Sequence, residues 1–358
     1  MNNFMFKQTI AISVLVALVF VGAGCNKSEP APKNDGGIYK SQDAGQTWRH
    51  TVAFPTAQGV GSIATTDVMF LEIDRSDSQV IYAGTKEDGL LMTIDGASTW
   101  QQTRDPAFKT GMVSAIGVDA TDVCTLYIGK GQKLSKSTDC MRSFKHGIFS
   151  ETREGITIAA IEVDWFNPKV VWMGLSNGDI MKSTDGGNSW RKAYSVKSTV
   201  TGIVMNPTDS RKMMIGTSKS GIYKTSDGGE RWVPIRTPVK NYQGALEVHS
   251  IVQDDASTKI YIATKYGLLY STDFGTSWKP VKLLSEPGQV DITALAVDPK
   301  NPKNIYYAVE NVFYSSVDGG VTWVTNKVAT TRQIASIAID HRNSAIVYIG
   351  TKLVAKKK

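Results

Sequence analysis

One aspartate-centred turn occurs seven times in this chain of 358 residues. The copies are SQDAGQTW from Ser41, TIDGASTW from Thr93, STDCMRSF from Ser137, STDGGNSW from Ser183, TSDGGERW from Thr225, STDFGTSW from Ser271 and SVDGGVTW from Ser316. Their shared form is Ser/Thr-x-Asp-x-Gly-x-Ser/Thr-Trp. The aspartates are Asp43, Asp95, Asp139, Asp185, Asp227, Asp273 and Asp318, spaced 42 to 52 residues apart. A fixed period of that length marks a repeat architecture, whose unit cannot bury its apolar face alone. Two short runs rich in Val, Ile, Tyr and Trp precede each of the last six turns, as in ALAVDPKNPKNIYYAV from Ala294. A third run leads into the turn and a fourth leaves it at the Trp. Such runs, separated by turn residues, read as strands. Four strands per repeat, seven times over, predict an all-β, seven-bladed β-propeller with four-stranded blades.

The ends predict how the ring closes. The first turn has its third and fourth strands but no first and second before it. Ile337 to Thr351 supplies that missing pair and is followed by no turn. The N- and C-terminal strands are therefore expected to share one blade, which removes an exposed edge. Residues 37–351 form the propeller on this reading. Ahead of them, Lys7 and an apolar run from Thr9 to Val21 precede Gly22-Ala23-Gly24-Cys25. This is the layout of an export signal, and the run is short for a membrane span. Residues 1–24 read as a signal peptide, 25–36 as a tether with Pro30 and Pro32, and 352–358 as a basic tail. The Ala-Gly-Cys junction resembles the bacterial lipobox, with Gly22 where that motif has a larger aliphatic residue. The resemblance implies lipidation of Cys25 and a place in the bacterial cell envelope, outside the cytoplasm and anchored to a membrane.

The repeats resemble the Asp-box, or BNR, propellers. That group includes sialidases, two-propeller xyloglucanases, sortilin-type receptors and the photosystem II assembly factors. The turn itself is structural chemistry: Asp accepts backbone N–H bonds, Gly permits positive φ, and Trp fills the gap between blades. Seven equivalent aspartates cannot all be one active site. The fold resemblance does not carry function, which resides in sites grafted on folds.

Three cysteines and four scattered histidines give no CxxC, HExxH or HxH pattern, so neither a cofactor nor a metal is expected. Sialidases of this group carry an Arg-bearing segment before the first turn; here it is EPAPKNDGGIYK. Glycoside hydrolysis needs two suitably spaced carboxylates. At the channel mouth the candidates are Asp67, Glu247 and Asp291, with Glu72 and Glu162 inside inner strands. The net charge is only +7, which is no nucleic-acid signature. Basic residues nevertheless gather in the loops of the face opposite the Asp-box turns, among them Arg191, Lys192, Lys197, Lys219, Arg236, Lys240, Lys265 and Arg332. Tyr194, Tyr242 and Tyr266 join them. Such a surface suits an acidic protein segment or an anionic polysaccharide. Trp165 and Phe166 form a second possible contact on the box face. Cys124 and Cys140 fall at adjacent strand ends in one blade, and a disulfide is expected there. The reading is a monomeric, lipid-anchored, non-catalytic binding or assembly scaffold, with a carbohydrate-binding module or glycoside hydrolase as the alternative.

Overall fold

The computed structural model describes residues 34–254 and 259–354. Cys25, the export signal and residues 355–358 lie outside them. Seven four-stranded antiparallel sheets form the blades. Blade 1 is composite: Gln333–Ile339 and Val347–Lys352 pair with Gly37–Ser41 and Arg49–His50, as the sequence predicts. Blade 2 begins at Val68, blade 3 at Ala115, blade 4 at Ile158, blade 5 at Val200, blade 6 at Val248 and blade 7 at Ala294. The core lies between blades, in clusters such as Trp172, Val200, Ile203, Met213 and Trp232. An extra hairpin, Ala53–Thr56 with Gly59–Ser62, was not expected from the repeat. It connects blades 1 and 2, and Trp100 Nε1 of the second box donates to Thr51 O at its base, at 2.9 Å.

Each box closes in the same way. In the first, Asp43 Oδ1 accepts from the Thr47 N–H at 2.8 Å and from the Ser41 hydroxyl at 2.7 Å, while Ser41 Oγ accepts from the Gly45 N–H at 2.7 Å. The two residues after the Asp both take positive φ, at Ala44 and Gly45 here and at Cys140 and Met141 in the third box. That third box has neither Gly nor Trp, and the structure joins it covalently: Cys124 and Cys140 are bridged, with Cα atoms 4.0 Å apart.

Two further repeats went unread in the sequence. A lysine ahead of the box reaches the next blade's box: Lys40 Nζ donates to Gly96 O, Lys136 to Gly186 O, Lys182 to Gly228 O and Lys224 to Phe274 O, at 2.8 to 3.1 Å. The KS and KT pairs before these boxes were the available signal. An Asp or Asn ending the first strand caps the turn to the second, as Asp164 Oδ1 does for the N–H groups of Phe166 and Asn167.

Hydrogen bonds from the Thr or Ser four residues on hold the box carboxylates low, at about 2 for Asp43, Asp185 and Asp273. These values lie below the ordinary 3.8, so the unfolded chain binds more protons than the folded one. The contribution is complete above about pH 4 and is lost as pH falls through the folded values. An acid titration followed by circular dichroism is expected to show a plateau above about pH 4 and a steep loss between about pH 4 and 2. A stability that declines evenly from neutrality would contradict the assignment.

Candidate functional site

The face opposite the boxes is built by inter-blade loops and by the turns joining second to third strands. Of its acidic candidates, the structure brings Asp67 and Asp291 to one cavity of about 680 Å³, with Lys86, Glu310 and Lys352. Glu247 is not among its lining residues and instead pairs with Lys265 at 3.4 Å. Asp67 is buried and held twice, by Arg332 Nη1 at 2.6 Å and by the Leu353 N–H at 2.8 Å. Both bonds fall on the same oxygen, Oδ1, so the carboxylate serves to tie these segments together. Arg332 belongs to this buried cluster, not to an exposed basic surface.

Arg191 and Lys192 also depart from expectation. They lie on the outermost strand of blade 4, Arg191–Ser195, not in loops of this face. Arg191 pairs with Lys182 across the ladder and meets Glu230 at 3.4 Å. Lys192 binds the buried Asp179 at 2.5 Å, a partner it shares with Arg153. Tyr194 packs beneath them on Tyr223 and Trp232.

The remaining basic residues form a contiguous sector over blades 4 to 6. Lys197 and Lys219 sit on touching loops, where Ser198 Oγ lies 3.3 Å from Ser218 Oγ and accepts from the Lys219 N–H. Gly221 N–H donates to Leu246 O, tying the next loop, which carries Arg236 and Lys240, to this turn. All four cations are exposed, and none is in an ion pair among the described residues. Tyr242 anchors the loop: its hydroxyl donates to Trp278 O at 3.1 Å, and its ring stands 5.1 Å from Tyr266.

The channel offers a second site, opening at the box face. First strands line it, and the position two residues before each turn-capping Asp or Asn is Glu72, Gly117, Glu162, Val204, Val252, Ala296 or Ala338. Glu72 and Glu162 are the two carboxylates of that ring. They share a cavity of about 470 Å³ with Arg75, Trp165, Met205 and Pro207. Confinement in the channel pushes the Glu72 carboxyl up to about 7, with Arg75 opposing the rise and Asp74 adding to it. Among the described residues no cluster of three or more His, Cys, Asp or Glu is placed to hold a metal. No helix of those residues is long and apolar enough to cross a membrane.

Seven boxes and a composite closing blade define an Asp-box propeller. The family described as Photosynthesis system II assembly factor YCF48 matches residues 19–206, more than half of the chain, and the chain belongs to that family. Residues 178–282 also match the sortilin, neurotensin receptor 3 family. Xyloglucanase Xgh74A of Acetivibrio thermocellus is 25% identical over 191 residues, covering 44% of this chain and 22% of that enzyme. The chain thus spans under a quarter of the curated relative's length. Among solved structures, the GH74 xyloglucanase of Xanthomonas campestris superposes with a TM-score of 0.68 at 16% identity, over 80% of this chain and 51% of that one. YCF48 bound to D1 peptide superposes with a TM-score of 0.62 at 15% identity, over 81% and 94%. The propeller is therefore related both to assembly factors and to glycoside hydrolases, and at these identities the superpositions speak for the fold.

Proposed function

We propose that the chain is a non-catalytic binding propeller that holds an acidic segment of a partner protein on the basic sector of Lys197, Lys219, Arg236 and Lys240. The observation that carries this reading is a contrast in pairing. Asp67, Glu247, Arg191 and Lys192 are held by partners within the protein, whereas these four cations are exposed and in no ion pair among the described residues. Adjacent unpaired cations draw an acidic segment by long-range attraction and fix its register on contact. Family membership and the solved complex of a relative with a peptide support the same reading. Lipid attachment at Cys25 completes the proposal and would hold the propeller at a membrane surface.

A second reading, a glycan-binding or glycan-cleaving propeller, is the one the curated relatives favour. In this structure it has the channel carboxylates Glu72 and Glu162 to draw on.

The test uses a fluorescent Asp/Glu-rich peptide as probe. Replacing all four cations by Glu is expected to weaken its binding at least tenfold, about 1.4 kcal/mol. Wild-type binding should fall as salt rises, because exposed charges are screened. Cys25→Ser should release the protein from the membrane fraction while leaving peptide binding intact. Indifference to both charge reversal and ionic strength overturns the sector as the site.

A further inference from the structure

We infer that the box-face mouth of the channel binds a neutral sugar ring, with Glu72, Glu162 and Arg75 meeting its hydroxyls and Phe166 its apolar face. This goes beyond the acidic-segment reading and stands without it. It deepens the glycan reading by giving it a place in the molecule.

The cavity of about 470 Å³ falls in the range of small-molecule sites, which pair apolar walls with a few convergent polar groups. Its walls are Ile116, Val118, Ile161, Val163 and Met205. The polar groups come from two non-adjacent blades, Glu72 and Arg75 from blade 2 and Glu162 from blade 4.

Their charges argue for a neutral ligand. One guanidinium faces two carboxyl groups, and confinement keeps Glu72 partly protonated near neutrality. Asp74 lies beside Glu72 on the same strand end, and His341 shares the adjoining channel cavity of about 240 Å³ with Glu72 and Arg75. An anion would meet the carboxylates, and a cation would meet the guanidinium. A hydroxyl donates and accepts, so one ring carrying several can satisfy a carboxylate, a protonated carboxyl and a guanidinium together.

The mouth supplies the apolar platform. Phe166 is 76% exposed, although it belongs to a turn and not to an edge strand. It is held there: its N–H donates to Asp164 Oδ1 at 2.9 Å, and its ring meets Trp165 edge-on with centroids 5.9 Å apart. Trp165 lines the cavity and is fixed by its Nε1 donating to Asn206 O at 3.0 Å. Phe166 does not itself line the cavity; it reaches it through Trp165, against which its exposed ring is fixed as an apolar face beside the polar groups.

The experiment is calorimetry on the full chain with glucose, xylose, galactose and their β-1,4-linked tetramers. At least one saccharide should bind the wild type. Phe166→Ala and Glu72→Leu should each weaken it tenfold or more, and Glu72→Gln should retain most of the affinity because an amide still bonds hydroxyls. The four-cation variant of the basic sector should bind the saccharide as the wild type does. Phe166→Ala removes an exposed ring, so it decides the matter should Glu72→Leu fail to fold. Absence of binding by the wild type overturns both this site and the glycan reading. Binding that survives Phe166→Ala and Glu72→Leu overturns the site alone, leaving a glycan to bind elsewhere.

Discussion

Arg332→Met should cost about 3–5 kcal/mol of stability, the usual result of breaking a buried ion pair from one side. Arg332 is 6% exposed and lies between Asp67, at 2.6 Å, and Asp35, at 3.5 Å, both nearly as buried. The cluster ties three parts of the ring. Asp35 immediately precedes blade 1 and accepts from Thr331, while the Thr330 hydroxyl donates to Asp35 O. Asp67 opens blade 2 and also holds the Leu353 N–H beyond the last strand. Burial raises the Asp35 carboxyl, but bonds from Thr331 and Thr330 and the charge of Arg332 outweigh it, and the net shift is downward. Methionine fills much of the volume but removes the guanidinium from both buried carboxylates, leaving Asp35 without its counter-charge and Asp67 with only the more distant charge of Lys352. The expected readout is a lower urea midpoint and a melting temperature reduced by on the order of 5–10 °C. Adding Asp35→Asn and Asp67→Asn should recover a large part of the loss, because the uncompensated charges are then gone. A single variant as stable as the wild type would mean that the knot does not hold the ring.

That knot also marks where sequence reading stops. The box, its period and the shared closing blade were legible because each is stated several times in the chain, and repetition separates pattern from accident. The pairing of Cys124 with Cys140 followed from the same strand order. Charges that occur once have no such support. Arg332 reads as one more loop cation; its partners Asp35 and Asp67 are remote in sequence and meet it only when the ring closes. The repeat itself starts a fourth strand at the box Trp, so Arg191 and Lys192 belong to that strand and not to a loop; what the repeat does not encode is that Lys192 turns towards Asp179. The lysines that reach the next box were legible in principle, since four of seven boxes carry Lys two residues after an aromatic or aliphatic strand residue. Which carbonyl they reach depends on blade-to-blade geometry, which no single repeat encodes. For the candidate sites the sequence named the rim acids and cations, and their pairing in three dimensions sorted the held groups from the available ones.

The box glycines offer the sharpest test of that blade-to-blade geometry. Gly228 and Gly229 are consecutive and both take positive φ, at 73° and 84°. A Cβ on Gly228 would point into open space, whereas one on Gly229 would lie 2.1 Å from Cη2 of Trp172 in the preceding blade. Trp172 has little freedom to retreat: it is 1% exposed, meets Trp232 edge-on at 6.0 Å, and carries Lys182 Nζ over its ring at 4.7 Å. Gly228→Ala should therefore cost about 1 kcal/mol, the left-handed backbone penalty alone. Gly229→Ala adds overpacking of about 1–3 kcal/mol to the same penalty. Gly319 and Gly320 repeat the contrast in the seventh box, with open space at the first and Val281 at 2.4 Å from a Cβ on the second. Ala97 and Met141 hold the second position in two other boxes, each buried in a cluster it shares with the preceding blade. The box thus tolerates a side chain there when the neighbouring blade has been shaped around it. Urea unfolding of the four alanine variants should rank the second glycine of each pair as clearly the more costly. Equal losses within a pair would show that the turn's own conformation, and not contact between blades, is what the box glycine serves.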